Sequence, residues 1–206
     1  MSNELVRKGY ENAAERYLAQ RDQFASTPYL DMLAERLKPG ATVLDAGCGA
    51  GIPIDRYLVQ HGYCVIGLDI AKKQIALART LVPQATYQVR DMSTLKRGEF
   101  QVDAVVSFYA IFHTRRATHL ETIRTFHSFL PAGGLILVTM GTSDSEGTEE
   151  NFHGVPMYWS QYDSVTNAGL IEAAGFAILH GVVDASGDER HQVVLALKTE
   201  AYVSNR

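Results

Sequence analysis

Val43-Leu-Asp45-Ala-Gly47-Cys-Gly49-Ala-Gly51-Ile-Pro53-Ile-Asp55-Arg56 is the stretch from which the rest of the chain is read. A short apolar run, Val43 and Leu44, ends at Asp45, and glycines follow at alternate positions 47, 49 and 51. Apolar residues resume at Ile52, Ile54 and Leu58, a spacing that suits a helix better than a strand. The local expectation is strand, tight glycine turn, helix. Glycine suits such a turn because it reaches backbone angles closed to residues with a Cβ and lets a ligand lie against the main chain. The helix that follows is expected to aim its free N–H groups and positive dipole end at the turn. That arrangement is a cofactor cradle.

Two acidic residues further on sharpen the reading. The segment Tyr63 to Leu68 has the composition of a second buried strand and ends at Asp69. In a parallel α/β sheet this carboxylate arrives beside the first crevice, placed to accept hydrogen bonds from a ribose diol. A third strand, about Ala85 to Arg90, ends at Asp91-Met92. Asp91 is placed to take an adenine amino proton while Met92 packs on the ring face.

Asp45-Ala-Gly47-Cys-Gly49-Ala-Gly51, then Gly67-Leu-Asp69, then Asp91-Met92, resembles the class I methyltransferases that use S-adenosylmethionine. Phe100-Gln-Val-Asp103-Ala-Val-Val-Ser107 is similar to their fourth-strand motif, and Leu130-Pro-Ala-Gly133-Gly134-Leu to the turn into their fifth strand. The resemblance spans roughly Thr42 to Lys198. It implies S-adenosyl-L-methionine as cofactor, S-adenosyl-L-homocysteine as product, and a cofactor site that includes Gly47, Cys48, Gly49, Asp69, Ile70, Asp91, Met92 and Phe108. It also implies that Asp45 meets the amino end of the methionine moiety. A nicotinamide-binding domain competes poorly, because its fingerprint wants glycine at the third position of G-x-G-x-x-G, where this chain has Ile52.

The 206 residues suit a single domain, residues 1–206, and a hydrophobic content of 46% with 20% charged residues supports a full core. The net charge of −4 and the lack of any Lys/Arg run longer than two residues argue against a nucleic-acid partner. The N-terminus does not have the basic-then-apolar form of a secretion signal, and no apolar run is long enough to span a bilayer, so the expectation is a cytoplasmic protein away from membranes. Cys48 and Cys64 read as small, mostly buried thiols in a reducing compartment, and no cysteine or histidine spacing suggests a metal. The chain is expected to be a monomer or homodimer.

Regular alternation of strands near 42–46, 63–69, 85–90, 102–107 and 134–140 with helices near 52–61, 71–82 and 115–130 predicts parallel strands joined by right-handed crossovers. With two more runs, Phe176 to Val183 and Gln192 to Leu197, the expected fold is an α/β three-layer Rossmann-like sandwich. It carries a seven-stranded, mostly parallel sheet with a C-terminal antiparallel hairpin. Ser160 and Asp163 resemble a capping pair opening a last helix. Residues 1–40 predict cap helices, Ser2 to about Arg21 and Thr27 or Pro28 to Leu37, ahead of a core at 41–199. By the resemblance these helices fold over the cofactor, Tyr17 touches its methionine end, and Arg21 pairs with its carboxylate.

The acceptor pocket is expected at the end of strand four, Ser107-Phe108-Tyr109-Ala-Ile-Phe112-His113, opposite a lid loop at 141–160. The second half of that loop, Asn151 to Trp159, holds His153, Met157, Tyr158 and the chain's only tryptophan, more apolar surface than a free loop leaves in water. Tyr109, His113, His153, Met157, Tyr158 and Trp159 are the acceptor candidates. His113 is the candidate general base, since imidazole titrates near neutrality, against the alternative that it orders the loop. The compact, acidic chain favours methyl transfer to a small molecule. RNA or protein methylation, and a non-catalytic cofactor-binding module, stay open at this level.

Overall fold

The computed structural model describes residues 2–20, 26–186 and 190–199. In chain order its elements are α1 (Ser2–Gln20), α2 (Thr27–Ala34), β1 (Thr42–Ala46), α3 (Ile54–Gln60), β2 (Cys64–Asp69), α4 (Lys72–Leu81), β3 (Thr86–Val89) and β4 (Ala104–Ser107). After these come α5 (His119–Phe129), β5 (Leu135–Met140), β6 (Ser145–Phe152), β7 (Val155–Gln161), α6 (Ser164–Ala173), β8 (Phe176–Asp184) and β9 (His191–Lys198). Short 3-10 turns occupy Met92–Thr94, Ile111–His113 and Arg116–Thr118.

Seven strands form one sheet in the order β3-β2-β1-β4-β5-β9-β8. β1 pairs in parallel with β2 on one side and β4 on the other, and β9 runs antiparallel to both β5 and β8. The strand order reverses between β1 and β4, so the connections leaving those strands diverge and open a crevice at their carboxyl ends. This is the α/β three-layer architecture that the sequence predicts. β9 lies inside the sheet and β8 forms its edge.

Side-chain alternation along β1 divides the core. Leu44 and Ala46 face the layer of α5 and α6, with Ile123, Phe126 and Ile171. Val43 faces the other layer, with Leu30 and Leu33 of α2 and Ile54 and Leu58 of α3. Fully burying each of these large apolar side chains contributes about 1.5–3 kcal/mol. Every residue of Leu135–Met140 is buried, as expected of a strand covered on both faces.

Several expectations change. Of the two expected cap helices α1 lines the crevice, whereas α2 belongs to the layer with α3 beneath the sheet. Residues 141–160 do not form a lid loop. Most of them make a second, two-stranded sheet, β6 against β7. His153 (φ 48°) and Gly154 (φ 83°) turn the hairpin between paired Phe152 and Val155, the positive-φ pair that a tight hairpin requires. Asp163 alone caps α6, accepting from the Val165 and Thr166 amides at 2.9 Å each. Ser160 sits in β7 and accepts from the Arg116 amide at 2.8 Å. Both cysteines are free thiols, Cys48 buried but Cys64 exposed at the start of β2. Among the described residues no helix is long and apolar enough to cross a membrane.

Candidate active site

The crevice at the carboxyl ends of β1, β2 and β4 encloses about 680 Å³ of empty space, part of it continuous with solvent. One wall is the turn after β1. The amides of Gly47 and Cys48 both donate to the Leu68 carbonyl, at 2.8 and 2.9 Å, and the Gly51 amide donates to the Cys48 carbonyl at 3.0 Å. The turn is therefore stapled to β2. At Gly47 φ is 94°, and a Cβ there would stand 2.3 Å from the Ala110 Cβ, so glycine is needed both for the angle and for the approach.

These hydrogen bonds change the expected role of the turn. Its N–H groups at 47, 48, 49 and 51 are spent inside the protein. α3 starts only at Ile54, after Pro53, which has no N–H to offer. The turn offers close main-chain contact and shape rather than free N–H donors at these positions.

Asp69, at the end of β2, holds the Gly49 amide at 3.0 Å through Oδ2 and the Ala71 amide at 2.8 Å through Oδ1. Burial pushes its carboxyl up to about 6, against the pull of those two amides. Each carboxylate oxygen keeps a further lone pair for a hydroxyl donor. Asp91 caps the 3-10 turn after β3: Oδ1 accepts from the Ser93 amide at 2.9 Å and the Ser93 hydroxyl at 2.7 Å. Its Oδ2 accepts from Asn3 Nδ2 of α1 at 2.7 Å.

The opposite wall is α1, through Asn3, Val6, Tyr10 and Tyr17. The helix is held by contacts far apart in sequence. Glu11 accepts from the Lys72 and Lys73 amides at 2.7 and 3.3 Å, capping α4 from another element. Arg16 Nε donates to the His153 carbonyl at 2.7 Å. Val6 and Ala13 pack with Phe152, Val155 and Met157 of the hairpin. The hairpin is thus a buttress behind α1.

The third wall is the segment after β4: Phe108, Tyr109, Ala110, His113 and Thr114. Tyr109 sits at φ 55°, a conformation that costs a non-glycine residue about 1–3 kcal/mol, and its amide donates to Thr139 Oγ1 of β5. His113 Nδ1 lies 2.9 Å from the Tyr158 carbonyl, which can only accept, so Nδ1 carries the hydrogen. Nε2 then presents a lone pair, and the Tyr10 hydroxyl donates to it at 2.7 Å. Burial lowers the imidazole to about 4, so it is neutral at physiological pH.

Tyr17, Gly47, Cys48, Gly49, Asp69, Ile70, Asp91, Met92, Phe108, Tyr109 and His113 come together around this crevice. Asp45 does not line it. Asp45 shares the parity of Val43, so its side chain enters the α3 layer, 1% exposed, beside Asp55. Desolvation holds the Asp55 carboxyl above its ordinary range, eased by its neighbours Asp45 and Tyr87. His153, Met157, Tyr158 and Trp159 stand behind the wall: Met157 is wholly buried against α1, Tyr158 bonds Glu146 at 2.6 Å, and Trp159 packs on the outer side of His113. As a general base His113 is compromised, because both ring nitrogens are engaged. Arg21 lies outside the described residues. Asn3, Val6, Ala110 and Thr114 are lining residues that sequence reasoning passed over, since nothing about their spacing marks them. Among the described residues no cluster of three or more His, Cys, Asp or Glu is arranged for a metal ion.

Residues 43–134 match a family of methyltransferase domains. An uncharacterized methyltransferase of Synechocystis sp. is 36% identical over 99 residues, 48% of this chain and 46% of that protein. The chain therefore spans less than half the length of that curated relative. Among solved structures, magnesium protoporphyrin IX methyltransferase from Synechocystis with bound S-adenosylhomocysteine superimposes with a TM-score of 0.76, at 16% identity over 97% of this chain and all of that one. The 1,6-didemethyltoxoflavin-N1-methyltransferase of Burkholderia thailandensis gives 0.75, at 20% identity over 94% of this chain and 87% of the other. At such identities these two establish the fold.

Proposed function

We propose that this chain, a member of the class I S-adenosylmethionine-dependent methyltransferases, moves the donor's methyl group to a small-molecule acceptor held between α1 and the segment after β4. The observation that carries this reading is a single crevice whose lining holds both the carboxylates Asp69 and Asp91 and the rings of Tyr10, Tyr17, Phe108 and Tyr109. Two of its structural neighbours bear names of small-molecule methyltransferases, which supports the same reading.

The residues fit the donor. Asp69 has lone pairs for a ribose diol, Met92 and Ile70 offer apolar faces for a purine, and the amides that a diphosphate would need are spent on Leu68 and Asp69. When bound, S-adenosylmethionine supplies a methyl on positive sulfur, which passes to an acceptor lone pair as the sulfur–carbon electrons return to sulfur. Tyr10, Tyr17, Phe108 and Tyr109 bring to the crevice aromatic rings, whose faces attract a nearby sulfonium. α1 and the hairpin behind it exclude water and align the partners, an effect worth on the order of 7–11 kcal/mol of barrier. A general base typically adds about 10²–10⁴-fold and matters only where the acceptor must lose its proton.

The test is a two-stage measurement on the full chain. Calorimetry with S-adenosyl-L-homocysteine should show one saturable site per chain, abolished by filling Gly47. Tritiated methyl transfer over fractionated metabolite pools should then label a low-molecular-weight product. Binding without any labelled product would indicate a non-catalytic module, and label appearing only in RNA or protein would reassign the acceptor.

A further inference from the structure

α1 is gripped from two sides, and the grip is closest where the helix has no side chain. At about 100° per residue, Asn3, Val6, Tyr10 and Tyr17 share the face that lines the crevice. Glu11 projects roughly 110° round the helix from that face, and Gly9 lies roughly 90° round the other way. On the Glu11 flank stands α4, whose Lys72 and Lys73 amides bond the Glu11 carboxylate. On the Gly9 flank stands β7. A Cβ at Gly9 would lie 2.6 Å from Met157 Cε and 3.2 Å from the Pro156 carbonyl oxygen, where carbon atoms ordinarily keep about 3.5–4.0 Å. Met157 is wholly buried, so its methyl has no solvent to retreat into. Gly9 keeps ordinary helical backbone in the body of α1, where glycine weakens a helix more than any residue but proline. The close approach to β7 is what requires glycine here.

We propose that Gly9 is a positioning residue for methyl transfer: its contact with Met157 sets how far α1 sits from the hairpin, and through that where Tyr10 and Tyr17 stand over the acceptor. This rests on the crevice being the methyl-transfer site argued above. A side chain at position 9 pushes α1 off β7, toward α4 and across the crevice, by about 1 Å. Tyr10 is the next residue, and its hydroxyl meets His113 Nε2 at 2.7 Å, a bond that such a shift breaks. Asp69 and the glycine turn hang from β2 and β1 and do not travel with the helix. A misplacement of about 1 Å remote from the chemistry is enough to cost about 100-fold in rate.

The test is an exchange of volume across the contact, made in the full chain. Gly9→Val fills the space that Met157 occupies, and adding Met157→Ala gives that space back. Valine is a better helix former than glycine, so a role in helix stability alone predicts no harm from Gly9→Val. Positioning predicts that labelled methyl transfer falls by about 10- to 100-fold in Gly9→Val and that the double variant recovers most of the loss. The nitrogen NMR resonance of His113 Nε2, which reports the Tyr10 bond, should move in the single variant and return in the double. Affinity for S-adenosyl-L-homocysteine should change by less than about 5-fold in either, the worth of the one Asn3–Asp91 bond that ties α1 to the donor end. Where Gly9→Val does not fold, Gly9→Ala applies the same push with a single carbon. Unchanged transfer or an unmoved His113 resonance overturns the proposal, and so does a double variant as impaired as the single one. If the unaltered protein binds no S-adenosyl-L-homocysteine or transfers no label, the methyltransferase reading falls, and the resonance then decides the seating of α1 on its own.

Discussion

The two ends of the crevice are built in different ways. The end proposed for the donor is assembled from successive strand termini, Gly47 to Gly51 after β1, Asp69 at the end of β2 and Asp91 after β3, each placed by the strand it closes. The end proposed for the acceptor is assembled from Asn3 to Tyr17, Phe108 to Thr114 and the hairpin behind them, joined by hydrogen bonds that span 88 to 137 residues of chain. A site whose parts hang from neighbouring strands is as rigid as the sheet. A site that hangs on a docked helix is only as firm as that docking.

Substitutions should expose this difference. The largest effect is expected from Gly47→Val: the side chain meets Ala110 and cannot adopt φ 94° without strain, so calorimetry should show at least a 100-fold loss of S-adenosyl-L-homocysteine affinity. Retained affinity would mean that the turn can move and the donor end is less rigid than argued.

Asp69→Ala should weaken donor binding by about 2–3 kcal/mol, through charge-assisted hydrogen bonds each worth roughly 1.5–3. Ribose hydroxyls favour the ionised carboxylate, and this carboxyl titrates near 6. Donor affinity should therefore fall as the pH drops below about 6 and level off above it, by up to tenfold per pH unit, and the Ala variant should show a flatter profile. A steep profile in both proteins would assign the titration to another group.

Asp55 gives a stability test of the same end. Its folded carboxyl is raised above the unfolded value, so the fold gains most from it at low pH and loses that gain as the pH rises through the raised range. Asp55→Asn should therefore gain thermal stability relative to the unaltered protein between pH 4 and pH 7.5, in melting curves at fixed ionic strength. An unchanging difference would show that the Asp55 carboxyl titrates alike in the folded and unfolded protein.

At the acceptor end the effects should be smaller. Glu11→Gln weakens the cap that α1 places on α4 and should cost about 1 kcal/mol in urea unfolding. Asn3→Ala releases Asp91 Oδ2 and should tighten donor binding by up to about 5-fold, provided an adenine amino group displaces Asn3. A loss of affinity instead would mean that Asn3 and the donor bind together.

The donor end was legible because a strand that must end in a turn declares itself locally: an apolar run, a carboxylate, then glycine. Asp45 shows the limit. Its place in the motif suggested a ligand contact, but strand parity sends its side chain into the helix layer with Asp55, and parity is settled by which face each neighbour covers. The stretch at 141–160 was misread for another reason. Ser145 to Asn151 is polar and poor in strand-favouring residues, and it is extended because β7 pairs with it and β7 is in turn held against α1. His153-Gly154 was the overlooked local signal for the hairpin turn.

By itself, the order of residues determined the sheet, its crossovers and the glycine turn with its two carboxylates, since these depend on periodicities and backbone limits that act within a few residues. Tertiary structure alone decided that the turn's amides are consumed internally, that Met157 and Trp159 buttress rather than line the crevice, and that His113 takes the proton of Tyr10. The last of these depends on groups 45 and 103 positions apart meeting at hydrogen-bond distance, and no local pattern in a chain encodes such a meeting.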